Sequence, residues 1–403
     1  MSQTLASRSP EKTPWGLVIL LGSLTAFGPM AIDMYLPSLP AIGVALHAAG
    51  GQTQITMGAF LAGMAIGQFF YGPASDRLGR RMPILIGASI FVVTSVICAL
   101  STSIEMLITA RFLQALGACS GMVVARAIVR DRYDHTETAR MLSLLGLVMG
   151  LAPILAPSLG SFVLTFGGWQ ANFWVQALFG VVVGLATFFN LKESRSEETA
   201  ALAKAESPLR AFAALLPQRR LIGYVLAGAL NGAALFTYVG GSPQLLIGTY
   251  GVSPQAFGWI FGINAVAIIG GGQVNRYVLR RVTPDRVLKR ASLAAVLVAT
   301  VLAAAAMSGI GGAWTVLPLI FILLSSFGFM QGNTMAGALS VDPNRAGSTS
   351  ALMGGASFAS GAVASTVTGL LHDGTAAPMA LTMLAAVIGS AVALRILALR
   401  EPA

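Results

Sequence analysis

Long apolar runs alternate along this chain with short polar links, and the runs share one size. Twelve windows of about 20 residues recur, at roughly 15–40, 52–73, 83–102, 104–128, 139–164, 169–191, 220–245, 253–275, 287–308, 313–338, 346–371 and 376–397. Each is long enough to cross about 30 Å of hydrocarbon. Where no water reaches the backbone, N–H and C=O groups must pair within their own segment, so each window predicts a helix. One long hydrophilic stretch, 192–218, divides the windows six and six. The pattern therefore predicts an all-α membrane protein of twelve transmembrane helices in two six-helix, pseudo-symmetric bundles. Residues 1–191 form the first bundle, 192–218 a linker and 219–403 the second.

Composition agrees with this picture. Of 403 residues 55% are hydrophobic and 10% charged, against about 25% charged in an average soluble domain, so the chain cannot cover a water-facing surface. The first window is too long for a cleavable signal and leads into further windows. Cys98 and Cys119 fall inside windows, where they pack as small apolar groups. The basic residues give the orientation. Of 25 Lys and Arg, only Arg111 lies deep within a window and away from the ends shared by the others. The rest, from Arg8 and Lys12 through Lys204 to Arg400, gather on one face, which is expected to be cytoplasmic together with both termini and the linker. The +10 net charge is then a topology signal rather than a nucleic-acid footprint. Trp15, Trp169 and Trp314 stand at window starts as interfacial anchors.

Against this background one acid stands out. In "AFGPMAIDMYLPSLP", residues 26–40, Asp33 sits among apolar residues bracketed by Pro29, Pro37 and Pro40. It is the only Asp or Glu deep in a window, and Arg111 is the only base. Each costs roughly 2.5–3.5 kcal/mol at a span centre, so both should face the protein interior. Proton occupancy of a buried carboxylate responds to hydration and to a nearby guanidinium, which makes Asp33 and Arg111 the candidate proton-coupling residues. Around them, Met30, Tyr35 and Gln114, with Asn231, Leu235 and Tyr238 on one face of the seventh window, are candidate substrate contacts beside Asp33 itself. A mostly apolar, Met-containing cavity suits amphipathic molecules of varied shape.

The halves also echo one another. "GPASDRLGRR" (72–81) follows the second window and "GGQVNRYVLRR" (271–281) the eighth. Asp76, Arg77 and Arg81 are expected to hold the inner face together with bonds that break and reform. In the fifth window, Gly146, Gly150, Pro153, Pro157 and Gly160 permit kinking and close approach.

At these residues the chain resembles the major facilitator superfamily. The loop pattern is carried by Gly72, Asp76, Arg77, Gly79, Arg80 and Arg81, and the fourth-span pattern by Arg111, Gln114 and Gly117. The antiporter pattern of the fifth span is carried by "GLVMGLAPILAPSLG" (146–160), with Ala152–Pro153 where Gly-Pro is usual. Within that superfamily, "AIDMYLPSLP" (31–40), "RAIVRDRYD" (126–134), "LSLLGLVMGLAPILAP" (142–157) and "HDGTAAPMA" (372–380) resemble the Bcr/CflA drug:proton antiporters. The resemblance implies alternating access in the bacterial inner membrane, a conformational gate at the two loop and fifth-span motifs, and proton-driven efflux of phenicols, bicyclomycin or similar drugs. A metabolite exporter or an uptake symporter of the same fold is the alternative. The chain has no Gly-x-x-x-x-Gly-Lys-Ser/Thr loop, paired catalytic acids or metal-ligand cluster. A non-enzymatic transporter driven by the proton gradient without a cofactor is thus expected, most simply a monomer.

Overall fold

The computed structural model describes residues 15–49, 51–197 and 208–399. Arg8, Lys12, Lys204 and Arg400, and the middle of the expected linker, lie outside them. Helices occupy every apolar window. In the first half they are α1 (Trp15–Thr25), α2 (Phe27–Asp33), α3 (Leu39–Ala45), α4 (Gln52–Leu78), α5 (Arg81–Ala99), α6 (Ile104–Arg132) and α7 (His135–Asn190). After a short α8 (Pro208–Leu215) come α9 (Arg219–Pro243), α10 (Pro254–Val278), α11 (Pro284–Ser308), α12 (Gly312–Val341), α13 (Ala346–Leu370) and α14 (Ala377–Ala393). Among the described residues nine helices are long and apolar enough to cross a membrane, or ten if the bent α1–α3 segment counts as one.

Local chemistry explains the boundaries. Ser103, Asp134 and Ser253 accept hydrogen bonds from Met106, Glu137 and Ala256 N–H, capping α6, α7 and α10. Two expected windows, 139–164 and 169–191, are joined in α7, which is broken at Gly168 (φ 68°). The first window departs further from a simple helix. Pro29 lacks an N–H and crowds the carbonyl four residues back, so the chain breaks at Ala26 and bends by 42°. A 3₁₀ turn, Leu36–Ser38, then leads into α3.

The packing repeats after six windows. In the first half α4 packs on α6, α5 on α6, and α5 on the second part of α7; in the second half α10 packs on α12, α11 on α12, and α11 on α14. The contacts between halves exchange under the same offset: α4 meets α13, and the first part of α7 meets α10. Large apolar side chains such as Phe70, Phe162, Phe189, Leu293 and Val363 cover the outside, where a lipid-facing surface requires them. At one end the halves are joined. Ser161 Oγ donates to Pro254 O at 2.6 Å, Gln255 Nε2 to Thr165 Oγ1 at 3.1 Å, and Ser365 Oγ to Gln54 O at 3.3 Å. At the opposite end, which carries the 72–81 motif, a vestibule of about 500 Å³ separates α4 and α6 from α12 and α13.

Candidate functional site

Asp33 ends α2, just before the 3₁₀ turn, and is buried. It borders a cavity of about 230 Å³ between the halves, lined mainly by apolar side chains. Met64, Met122 and Met149 contribute from α4, α6 and α7, and Leu235, Tyr238 and Phe261 from α9 and α10. Asp33 is the only carboxylate in the lining. No described residue makes a hydrogen bond or ion pair with it. Across the cavity Tyr238 stacks on Phe261, ring centroids 5.5 Å apart, and its hydroxyl accepts from Asn264 Nδ2 at 2.8 Å. Asn264 lies on α10, and nothing in the sequence pairs it with Tyr238.

The expected contacts divide into two groups. Asp33, Leu235, Tyr238, Gly150 and Pro153 line this cavity; Met30, Tyr35, Gln114, Asn231 and Arg111 do not. Arg111 is fully buried, with its guanidinium carbon 4.2 Å from the centroid of Phe60 and 4.3 Å from that of Tyr35. Its Nη1 donates to Gln114 Oε1 at 2.6 Å, and Gln114 Nε2 donates to Ser95 Oγ at 2.7 Å and Gln176 Oε1 at 2.9 Å. Arg111 Nε and Nη2 have no partner among the described residues. A direct Asp33–Arg111 pair is therefore absent from this conformation. Aromatic faces, worth about 2 kcal/mol when desolvated, take the place of a carboxylate. Tyr35 lies two residues after Asp33, on another side of the same short segment. It connects the two places, and its hydroxyl bonds Thr56 Oγ1. Asn231 is buried one turn from Leu235, with its Nδ2 unpartnered.

The motif end is organised differently from the expected Asp76/Arg77/Arg81 cluster. Arg80, 4% exposed, is the hub. Its Nη1 donates to Asp76 Oδ1 and, at 2.8 Å, to Ser75 Oγ. Nε and Nη2 donate to the two Asp131 oxygens at 2.7 and 3.2 Å. Burial pulls the Arg80 guanidinium down, but Asp131 and Asp76 outweigh it and hold it above its usual range. Arg81 instead points to Phe188, donating to its carbonyl and stacking 5.2 Å from its ring. Arg77 lines the vestibule. Of the three motif arginines, only Arg80 has facing carboxylates for its fork to engage. Asp131 lay in the quoted stretch 126–134, but spacing gave no reason to link it to residue 80.

The start of the linker pins this turn. Glu193 accepts from the N–H groups of Arg80 (2.9 Å), Arg81 (3.2 Å), Ser194 (3.0 Å) and Arg195 (2.9 Å). Partial burial pushes the Glu193 carboxyl up, but the four N–H donors outweigh it and hold it below the usual glutamate range. Gly79 has φ 90°, and a Cβ there would come within 2.5 Å of Glu193 Oε2, so this turn requires glycine. In the second half, Asn275 replaces the acid and accepts from Asn333 Nδ2 at 3.0 Å.

The fifth-span residues lie along the path from the vestibule to the joined end. Gly146 has open space around it, and Gly150 faces Ile269 of α10. Pro157 O accepts from Ser161 Oγ at 2.9 Å. Gly160 lies against the carbonyl of Met34, beside Asp33, where a side chain would collide with backbone. Gly72 borders the vestibule and its carbonyl accepts from Ser75 Oγ at 2.9 Å.

Known proteins place this architecture. A sequence model of the Major Facilitator Superfamily matches residues 21–366. The chain is 36% identical to the "Uncharacterized MFS-type transporter YdgK" of Bacillus subtilis, with 93% of each chain covered. It is 30% identical to the "Bicyclomycin resistance protein homolog" of Haemophilus influenzae, covering 95% of this chain and 96% of that one. Part of the chain, 60%, is 36% identical to 61% of the Escherichia coli "Multidrug resistance protein MdtL". Its fold is similar to a partially occluded inward open structure of the xylose transporter XylE from E. coli, with TM-score 0.71 and 13% identity over 94% and 96% of the two chains. Apolar helices for repeated membrane crossing, paired halves enclosing an apolar cavity, and relatives matched along nearly the whole chain make this a multi-pass inner-membrane protein that belongs to the major facilitator superfamily, of the Bcr/CflA type.

Proposed function

We propose that the chain exports small amphipathic drugs in exchange for protons, by alternating access, as a transporter rather than an enzyme and with the proton gradient in place of any cofactor. The observation that carries this reading is Asp33: a single carboxylate, without a partner, on the wall of an apolar cavity between two halves. The names of the relatives, bicyclomycin resistance and multidrug resistance, support the substrate class. The Lys and Arg gathered at the motif end support a cytoplasmic position for it; on this reading the conformation is open inward and joined at the periplasmic end.

In the cycle, substrate enters from the vestibule while Asp33 is ionised and hydrated from the cytoplasm. Rocking of the halves then closes the vestibule at the motif end and breaks the Ser161, Gln255 and Ser365 contacts at the joined end. Asp33 then takes a periplasmic proton as substrate leaves, and returns it to the cytoplasm on reopening. Arg111 keeps a fixed positive charge one short segment away, with two donor nitrogens that have no partner among the described residues. A proton crossing about 100 mV yields roughly 2.3 kcal/mol.

Tolerance to chloramphenicol and bicyclomycin of cells expressing the native chain, Asp33→Asn and Arg111→Ala tests the reading. Loss of tolerance in both variants at normal membrane levels is expected. Native-level tolerance in Asp33→Asn removes its proton role, and no tolerance from the native chain to either drug turns the reading toward a metabolite exporter.

A further inference from the structure

The vestibule holds charge that the proton cycle does not use. Its wall carries three guanidiniums, Arg77, Arg126 and Arg130, against one carboxylate, Asp76. That carboxylate and Asp131 share Arg80, so their cluster carries one net negative charge against three guanidiniums and the wall stays net positive. Arg126 and Arg130 stand one turn apart on α6 and share a face. Both are exposed, and neither joins an ion pair among the described residues.

Their depth matters. Arg126 follows Met122 by one turn and Gln68 follows Met64 by one turn; the methionines line the Asp33 cavity, while Arg126 and Gln68 line the vestibule. Arg126 therefore lies roughly 6 Å, and Arg130 roughly 12 Å, from the cavity-lining Met122 along α6. A cleft with low-dielectric walls concentrates the field of such charges.

We propose that this arginine neck is an anion-selective entry site. It rests on the efflux reading and gives the substrate class: amphipathic molecules bearing a carboxylate, sulfonate or ionised sulfonamide, with neutral ones accepted less well and lipophilic cations rejected. The anionic head sits on Arg126 and Arg130, and the apolar body reaches the methionines beside Asp33. The charge on Asp33 keeps the head at the neck. Exchange of one monoanion outward for one proton inward moves two charges in the sense the membrane potential favours, against one for a neutral substrate.

Three probes with one fluorophore test this: dansylglycine, an anion; dansylamide, neutral; and dansylcadaverine, a cation. Each is titrated by fluorescence into the purified full chain in detergent, without a gradient. Dansylglycine is expected to bind at least ten-fold tighter than dansylcadaverine, with dansylamide between. Arg126→Gln should weaken dansylglycine about ten-fold while dansylamide stays within two-fold, and Arg126→Lys should restore most of the loss. Equal affinities, preference for the cation, absence of dansylglycine binding, or equal weakening of all three by Arg126→Gln each overturns the proposal. The order among probes in the native chain needs no variant to fold. Efflux fails separately, if proteoliposomes under an imposed pH gradient move none of the three.

Discussion

At the scale of single residues, the two intramembrane charges are held by unlike means. Asp33 faces an apolar cavity with no partner, whereas Arg111 lies between Phe60 and Tyr35 and bonds Gln114. A planar guanidinium stacks and donates along its edge; an ammonium cannot do both. Arg111→Lys should therefore lose drug tolerance nearly as fully as Arg111→Ala, at unchanged membrane abundance. Tolerance at the native level in the lysine variant would show that charge alone suffices. The adjacent arginines of the motif differ in the same way. Arg80→Ala leaves Asp131, 11% exposed, without its bidentate partner, which should cost roughly 3 kcal/mol. Arg81→Ala loses a surface contact, worth less than about 1 kcal/mol. Thermal unfolding of the two detergent-solubilised variants should rank them accordingly. The sequence announced both buried charges because hydrocarbon makes each conspicuous. It did not reveal which motif arginine is the hub, since that depends on Asp131, brought from another helix by the fold.

At the scale of elements, breaks in helices put function where regular helices could not. Pro29 ends the regular first helix and lets Asp33 stand at an element boundary; the three prolines were legible, the 3₁₀ turn they produce was not. Gly160 lets α7 approach the Met34 carbonyl, so Gly160→Val should push that segment away and abolish transport. Retained transport with native thermal stability would contradict a role for this approach. The linker's Glu193 latch carries a pH dependence. Its carboxyl lies below the usual range in the folded chain, so its stabilisation is fully present above the ordinary glutamate value of about 4.3. It fades as pH falls through the lower folded value. The difference in unfolding temperature between the native chain and Glu193→Gln should therefore be constant from pH 7 to about 5 and shrink at lower pH. A difference that grows on acidification would contradict the latch. The latch was not legible, because acceptance from four N–H groups requires the 72–81 turn to meet a linker more than a hundred residues later.

At the scale of the whole molecule, repetition of the packing after six windows makes the two sets of inter-half contacts equivalent. The α4–α13 and α7–α10 contacts join one end while the other holds a vestibule. Thr165→Cys with Gln255→Cys, linked across the joined end by a short bis-methanethiosulfonate, which forms two disulfides and releases sulfinate, should stop transport until reduced; continued transport would exclude opening there. The all-helical, membrane-spanning character was legible because bilayer thickness fixes the length of each apolar run. The conformation was not, since both inward and outward states satisfy the same hydropathy.

The central claim is that Asp33 couples substrate movement to protons. Proteoliposomes containing the native chain or Asp33→Asn, loaded with chloramphenicol, separate coupling from binding. With an imposed pH gradient the native chain should concentrate labelled drug, and Asp33→Asn should not; without a gradient, both should exchange labelled for unlabelled drug. Uphill accumulation by Asp33→Asn at the native rate would contradict the account.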